Sequence, residues 1–364
     1  MSKILFFDYN YPELQKDSDY PVGGATVQLH SWIKGFVNEG WEVGILVPKY
    51  SEESINKSVK FIETYDQKYG IPKLRWLYYR LPKLFLAIKW NKPDFIYQGV
   101  PGRISLILFI FSKLLKIKFI LRISNDFLVD DRIKKKYPKI LVLFLRYVYK
   151  YSDYVICQNK YQYEHLKKIR ERGIHLITNP FTYNNIDYTK VEDNYIAWLG
   201  IFQYQKNLPL LFEIVERLPN YTFKIAGKIG SALELNSETQ KALEKLNKCE
   251  NVEFVGFLKR KAVLDFLSNA KLLLNTSYYE GFSNTFLEAF AVGTPVICPS
   301  NVDPGRIIKK FKLGEQFHEI DEAVVQIECV YSQSCRYRDN TCKYVSEFHD
   351  TKKLTKEFIR ILMC

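Results

Sequence analysis

Three observations predict an α/β protein made of two doubly wound, Rossmann-like domains facing across a cleft. The chain has 364 residues, more than one typical domain uses. Short apolar runs alternate with helical patterns, the rhythm of strand–helix–strand units on a parallel sheet. That rhythm breaks once, over 178–194, in a stretch rich in Asn, Asp, Thr and Tyr with Pro180, and then restarts. The expected plan is an N-terminal domain over 1–180, a linker over 181–194, a C-terminal domain over 195–348 and a final helical segment over 349–364.

The elements follow in order. Lys3 to Phe7 reads as a buried strand, and a polar loop then runs to Gly23-Gly24. From Thr26 to Gly40, apolar Val27, Leu29, Ile33, Phe36 and Val37 keep helical spacing and end at a glycine. Glu42 to Val47 is the next strand, so the chain opens as strand, glycine loop, helix, strand. Phe95 to Gln98, Lys118 to Ile123 and Tyr154 to Gln158 are further strands. After the break come strand Tyr195 to Leu199, a helix around Leu208 to Arg217, and strands Thr222 to Ala226 and Val252 to Phe254. A helix around Lys261 to Asn269 and strand Leu272 to Asn275 lead into Ser277–Pro299. In that stretch Ser283 and Asn284 are good N-cap residues, Thr285 to Val292 is a helix, Gly293 and Pro295 stop it, and Val296-Ile297 begins a strand.

Composition sets bounds. Residues 1–190 hold 31 Lys+Arg against 18 Asp+Glu, whereas residues 191–364 hold 22 of each, so the net charge of +13 belongs to the first half. An anionic partner for that half is expected, with a membrane surface, a nucleic acid and a phosphorylated substrate all open. The seven cysteines are scattered without a zinc spacing, and the five histidines show no metal pattern. Reduced thiols and a cytoplasmic setting are expected, with no cofactor and no metal. The N-terminal apolar run is too short for a signal peptide, and Ile104 to Phe111 is broken by Lys113, Lys116 and Lys118, so no membrane span is expected.

Several motifs carry chemistry, each beside a blander reading. A turn feeding a helix N-terminus offers backbone N–H groups and a positive dipole end, which suits phosphate. Ser277–Pro299 places such a turn between Glu280 and Glu288, and carboxylates there can accept hydrogen bonds from sugar hydroxyls, which points to a nucleotide-sugar site. Lys206, in the loop Gly200 to Asn207, can reach a diphosphate as a point charge or remain a solvated surface lysine. Gly227 with Lys228, and Gly256 followed by Phe257 and Leu258, add two more strand-end loops on the same edge. Gly23-Gly24 permits close backbone approach but is equally an ordinary turn, and the absence of G-x-G-x-x-G weighs against a dinucleotide oxidoreductase. Arg122-Ile-Ser-Asn125-Asp126 ends a strand, where polar groups face ligand or Asp126 caps the next helix. The segment Arg132 to Tyr151 has an apolar face with Lys, Arg and Tyr flanks, as a lipid-facing helix would or as a core helix with a solvated charged face.

Together these motifs make the chain resemble the family-4 retaining glycosyltransferases of the GT-B fold, over nearly the full length. The likeness rests on Gly23-Gly24, the loop ending Lys206-Asn207, Ala226-Gly227, Val255-Gly256, and above all E-G-F-S-N-T-F-L-E-A followed by G-T-P-V-I. It implies that Glu280 contacts the donor sugar and Glu288 the ribose. It also implies that the backbone over Gly281, Phe282, Ser283, Asn284 and Thr285 meets sugar and phosphate, that Lys206 meets the diphosphate, and that Gly24 approaches the phosphates from the other domain. Thr351 to Met363 would be the family's last helix, crossing back to the first domain. Two departures stand out: Ile201 occupies a place the family often gives to arginine, and Asn125 one it often gives to histidine. The implied reaction is transfer of a hexose from a nucleotide diphosphate sugar, UDP-linked, to a glycan or lipid-linked acceptor. A peripheral position on the cytoplasmic face of an anionic membrane, with no nucleic-acid partner, is the expected setting. A composition rich in Lys, Tyr, Phe and Asn suits a bacterial source and surface-polysaccharide assembly. A nucleotide-sugar epimerase or a phosphorylase on the same fold, and a non-catalytic membrane- or nucleic-acid-binding protein, are the rival readings.

Overall fold

The computed structural model describes residues 2–15, 23–49, 58–182, 194–229, 236–303 and 305–364. Most of the linker expected over 181–194 therefore lies outside the described residues. The chain divides into two compact units, one holding the described residues up to Pro180 together with Thr351–Cys364, the other those from Phe181 to Asp350.

The first unit begins with β1 (Lys3–Phe7), α1 (Tyr11–Gln15), α2 (Gly24–Asn38), β2 (Glu42–Val47) and β3 (Val59–Glu63). It continues through α3 (Leu81–Asn91), β4 (Phe95–Gln98), α4 (Ser105–Leu114), β5 (Lys118–Arg122), α5 (Ile133–Lys136) and α6 (Lys139–Tyr151). β6 (Tyr154–Cys157), α7 (Lys160–Lys167) and β7 (Ile174–Leu176) complete this run. Its seven strands are all parallel, in the order β3-β2-β1-β4-β5-β6-β7. Helices on both faces of such a sheet bury the central strands twice over, which is why β1 is apolar after Lys3 and β4 apolar up to Gln98. α1 is a correction: the stretch read as a polar loop after β1 holds this short helix, anchored by fully buried Tyr11, whose hydroxyl lies 3.0 Å from His30 Nδ1.

The second unit contains β8 (Tyr195–Leu199), α8 (Leu208–Arg217), β9 (Thr222–Ala226), α9 (Ser237–Leu246), β10 (Val252–Gly256), α10 (Arg260–Ser268) and β11 (Leu272–Leu274). α11 (Asn284–Ala291), β12 (Val296–Pro299), α12 (Ile307–Phe311), β13 (Gly314–Phe317), α13 (Ile320–Ser332) and α14 (Arg338–Phe348) follow. Its parallel strand order, β10-β9-β8-β11-β12-β13, reverses direction between β8 and β11. In open α/β sheets ligands bind beyond the carboxyl ends of the strands at such a reversal.

The last helix, α15 (Thr351–Met363), belongs to the first unit and packs on α2. Phe358 sits 5.1 Å from the Trp32 ring and 5.6 Å from that of Phe36, in a core that also includes Tyr97. Gly35 makes the close approach possible, because a Cβ there would press into the Thr355 side chain well inside van der Waals contact. Gly35→Ala is therefore expected to lower stability by about 1–3 kcal/mol through overpacking, and Thr355→Ala in the same chain should restore part of it. Denaturant unfolding of the two single variants and the double variant measures this; additive losses would contradict the contact.

A buried cation ties the first unit together. Arg122, at the end of β5, is fully buried and donates through Nη2 to Ile177 O (3.1 Å) and Asn179 Oδ1 (2.8 Å). With the Gln28 amide turned to accept, Nη2 and Nε also reach its oxygen at 2.7 and 2.9 Å. The guanidinium carbon lies 5.4 Å from the Trp32 ring. Burial pulls its pKa below the usual arginine value. α2, β5 and the chain after β7 are thus joined by one side chain. Among the described residues no helix is long and apolar enough to cross a membrane.

Candidate functional site

The two loops at the strand reversal of the second unit are those after β8 and after β11, and they are laced together. Tyr278 N donates to Gln205 O (2.9 Å), and Thr276 Oγ1 donates to Lys206 O (2.8 Å) while accepting from Trp198 Nε1 (3.1 Å). The rings of Tyr204 and Tyr278 stack at 4.9 Å. A short 3-10 turn, Tyr204–Lys206, ends at Asn207, whose left-handed backbone (φ 49°) lets its side chain cap α8 by accepting from Leu210 N. This turn fixes the direction of the Lys206 stem.

Lys206 does not point into solvent. Its Nζ lies 2.7 Å from Glu280 Oε1, with the two side chains 13% and 10% exposed. The same carboxylate oxygen accepts from Ser277 Oγ (2.8 Å), and Oε2 accepts a longer bond from Gln205 Nε2 (3.4 Å). Gln205 also donates to Tyr279 O (2.9 Å), so its amide is held in place. The two residues expected to take sugar and diphosphate separately are thus one cation–carboxylate pair, and in a largely desolvated place such a pair is sensitive to any third charge.

Gly200 flanks the pair, and Gly227 and Gly256 stand at the ends of the two neighbouring strands. A Cβ on Gly200 would lie 3.3 Å from Lys206 Cε, so the glycine lets the lysine stem lie flat against the strand end. Gly200 N donates to Ala226 O (3.1 Å) and Gly227 N to Gly256 O (2.8 Å), joining the ends of β8, β9 and β10. A Cβ on Gly227 would collide with the Gly200 carbonyl. Lys228, half-buried, places its ammonium 4.3 Å from the Phe257 ring centroid, and Leu258 packs on the cluster around Phe286.

Immediately after Glu280, buried Gly281, Phe282 and Ser283 lead into α11. Ser283 occupies the N-cap position but makes no side-chain cap to the backbone; its Oγ lies 2.8 Å from Thr285 Oγ1 instead. The helix thus starts one residue earlier than expected, at Asn284. Glu288 is half-buried on its second turn. Gly293, at φ 83°, follows the helix end in the left-handed conformation that favours glycine.

The remaining candidates lie in the first unit. Gly23 is exposed at the N-cap of α2 with an ordinary φ of −65°, and among the described residues a Cβ there would meet no atom within 4 Å. Neither strain nor crowding inside the protein calls for glycine there; Gly24, also exposed, begins the helix. Asn125 caps the short turn Asp126–Leu128 by accepting from Phe127 N (3.2 Å). Asp126 accepts from Asn159 Nδ2 (2.9 Å) and Gln162 Nε2 (2.8 Å), at the start of α7. Burial raises its pKa to about 6 despite these two donors. Sequence reading did not single out Ser277, Gln205 or Thr276 as parts of the site. Their only signal is positional: loops after the first and fourth strands of a doubly wound sheet are neighbours in space.

Glycosyltransferase is the class of protein to which comparison with known families assigns a chain with this fold. Residues 184–347 match the family model described as glycosyl transferases group 1, and residues 22–182 match that of glycosyltransferase family 4. The chain belongs to the family-4 glycosyltransferases of the GT-B fold. It is 27% identical to an uncharacterized glycosyltransferase of Methanocaldococcus jannaschii over 60% of its length, and spans 58% of that relative. An uncharacterized 41.2 kDa protein of the cps region of Klebsiella pneumoniae is 26% identical over 75% of this chain and 79% of its own. Among solved structures, Anabaena HepE in complex with UDP and glucose superposes with a TM-score of 0.75, at 15% identity and 100% coverage of both chains.

Proposed function

We propose that the chain transfers a hexose from a UDP-linked sugar to a hydroxyl of a glycan or lipid-linked glycan, with retention at the anomeric carbon, in surface-polysaccharide assembly. The observation that carries this reading is the Lys206–Glu280 pair set at the strand reversal, one short turn before the N-terminus of α11. In the reaction the anomeric carbon–oxygen bond breaks and the diphosphate leaves with the bonding pair. The acceptor oxygen bonds to the same face, and its proton passes to a leaving phosphate oxygen. Lys206 and the start of α11 would stabilise the charge gathering on the diphosphate, since preorganised donors aimed at developing charge supply much of a transferase's rate. Glu280 would accept from hydroxyls of the sugar and Glu288 from those of the ribose. The UDP held by HepE and the cps setting of the Klebsiella relative support the donor and the product class. The positive surplus of the first half supports an acceptor presented at an anionic membrane surface.

A melting panel of UDP, ADP and GDP, each free and sugar-linked, tests the donor. A ligand at about 100 times its Kd stabilises the native state by about 2.7 kcal/mol, so the cognate nucleotide should raise the melting temperature by several degrees. No shift with any member of the panel would remove the donor site.

A further inference from the structure

We infer that the outer face of α6, continued by α4, is the surface with which this protein lies on an anionic lipid bilayer. This deepens the membrane reading just given and rests on it. α6 carries apolar residues on two opposite faces. Val142, Leu145, Val148 and Tyr149 are buried in the unit. Ile140, Leu143, Phe144, Tyr147 and Tyr151 are all exposed, Leu143 at 62%. Their spacing, i, i+3, i+4, i+7 and i+11, puts them on a single stripe of a helix with 3.6 residues per turn. The inner face alone would satisfy the fold, so the outer stripe is surplus to it.

The stripe does not stop at the helix edge. Tyr147 meets Phe109 of α4 edge-to-face at 6.0 Å, and beside Phe109 on α4, Ile110 and Leu114 are exposed. The charge around this surface has one sign. Residues 103–118 and 132–151 contain eleven Lys or Arg and no Asp or Glu. On α6, Lys139, Arg146 and Lys150 are exposed at i, i+7 and i+11 and so form one row along a flank of the stripe. The nearest acids are engaged: Asp130 with Arg132, Asp131 with Lys134, and Asp153 with Lys113.

An apolar stripe bordered by a cationic row and by tyrosines matches the acyl boundary, the anionic headgroups and the interface between them. A nucleic acid satisfies the cationic row but leaves Ile140, Leu143 and Phe144 against phosphate. The chemistry therefore favours lipid.

Co-sedimentation with vesicles of phosphatidylcholine alone, and with roughly one-third phosphatidylglycerol added, tests this. The wild type should bind only the anionic vesicles, more weakly as salt rises. Leu143→Glu/Phe144→Glu should weaken that binding at least about tenfold by removing the inserted apolar area. Both positions are exposed, so the variant should keep its melting temperature and its nucleoside-diphosphate melting shift. Absence of wild-type binding to anionic vesicles, or unchanged binding by the variant, overturns the inference. So does a dimer in gel filtration that the variant splits, since a second copy would then cover the stripe. A missing nucleotide shift in the wild type would undo the donor reading and leave this surface standing.

Discussion

Alanine at Lys206 is expected to lower sugar transfer by about 10²-fold or more and to weaken nucleoside-diphosphate binding. The family's usual arginine is replaced by Ile201, so Lys206 carries more of the diphosphate charge in the proposed reaction. Its partner sets up a contrast. The ammonium is balanced by Glu280 at 2.7 Å, and in the proposed reaction a diphosphate entering the site would compete with that carboxylate. Glu280→Gln keeps the shape and leaves an oxygen for Ser277 Oγ, but removes the competing charge. Transfer should fall about as far in this variant, because the sugar loses its carboxylate, while UDP alone should bind more tightly. The pair thus predicts losses of the same sign in kcat/KM and changes of opposite sign in nucleotide affinity. Titration calorimetry with UDP and single-turnover assays on both variants read the two quantities. Wild-type turnover in either, or tighter UDP binding by the lysine variant, would sink the assignment.

The second large effect concerns folding. Arg122→Met keeps most of the volume but removes the buried donor shared by Ile177 O, Asn179 Oδ1 and the Gln28 amide, while the two amides keep each other. A buried acceptor left without its donor costs about 1–3 kcal/mol. Removing the desolvated charge offsets part of this, so a net loss of about 3 kcal/mol is expected. For a unit of this size that lowers the melting temperature by roughly 6–12 °C. Because the units can melt separately, scanning calorimetry should show the loss in the transition that a nucleotide does not shift. A melting profile like the wild type's would mean that the guanidinium contributes nothing.

The central strands were the legible part of the chain. β1, β2, β4, β8 and β9 agree with the sequence reading residue for residue, because strands covered on both faces are largely apolar, β9 keeping one half-buried Lys224. β3, β7 and β13 were not anticipated, and all three are sheet edges. An edge strand pairs on one side only and tolerates Lys60, His175 or Gln316, so its apolar signal is diluted. The site divides in the same way. That Lys206, Glu280, Gly200, Gly227 and Gly256 stand just beyond or at strand ends was legible, because the strands before them were. The pairing of Lys206 with Glu280 was not, because it joins residues 74 apart through strand order, which sequence rhythm does not state. Ser277 and Gln205 are ordinary polar residues in one dimension and acquire meaning only from the carboxylate they hold.

The placement of α15 has a consequence for how the chain is made. The first unit is discontinuous: Phe358 fills the space between Trp32 and Phe36, yet it is translated after every residue of the second unit. Synthesis runs from the N-terminus, and domains generally fold as they emerge. The described residues of the second unit all lie between Phe181 and Asp350 and are complete once Asp350 is out of the ribosome, whereas the earlier-made unit must wait with part of its aromatic core uncovered. The order of completion is the reverse of the order of synthesis, and the last thirteen-residue helix acts as the closing piece for a sheet begun at Lys3.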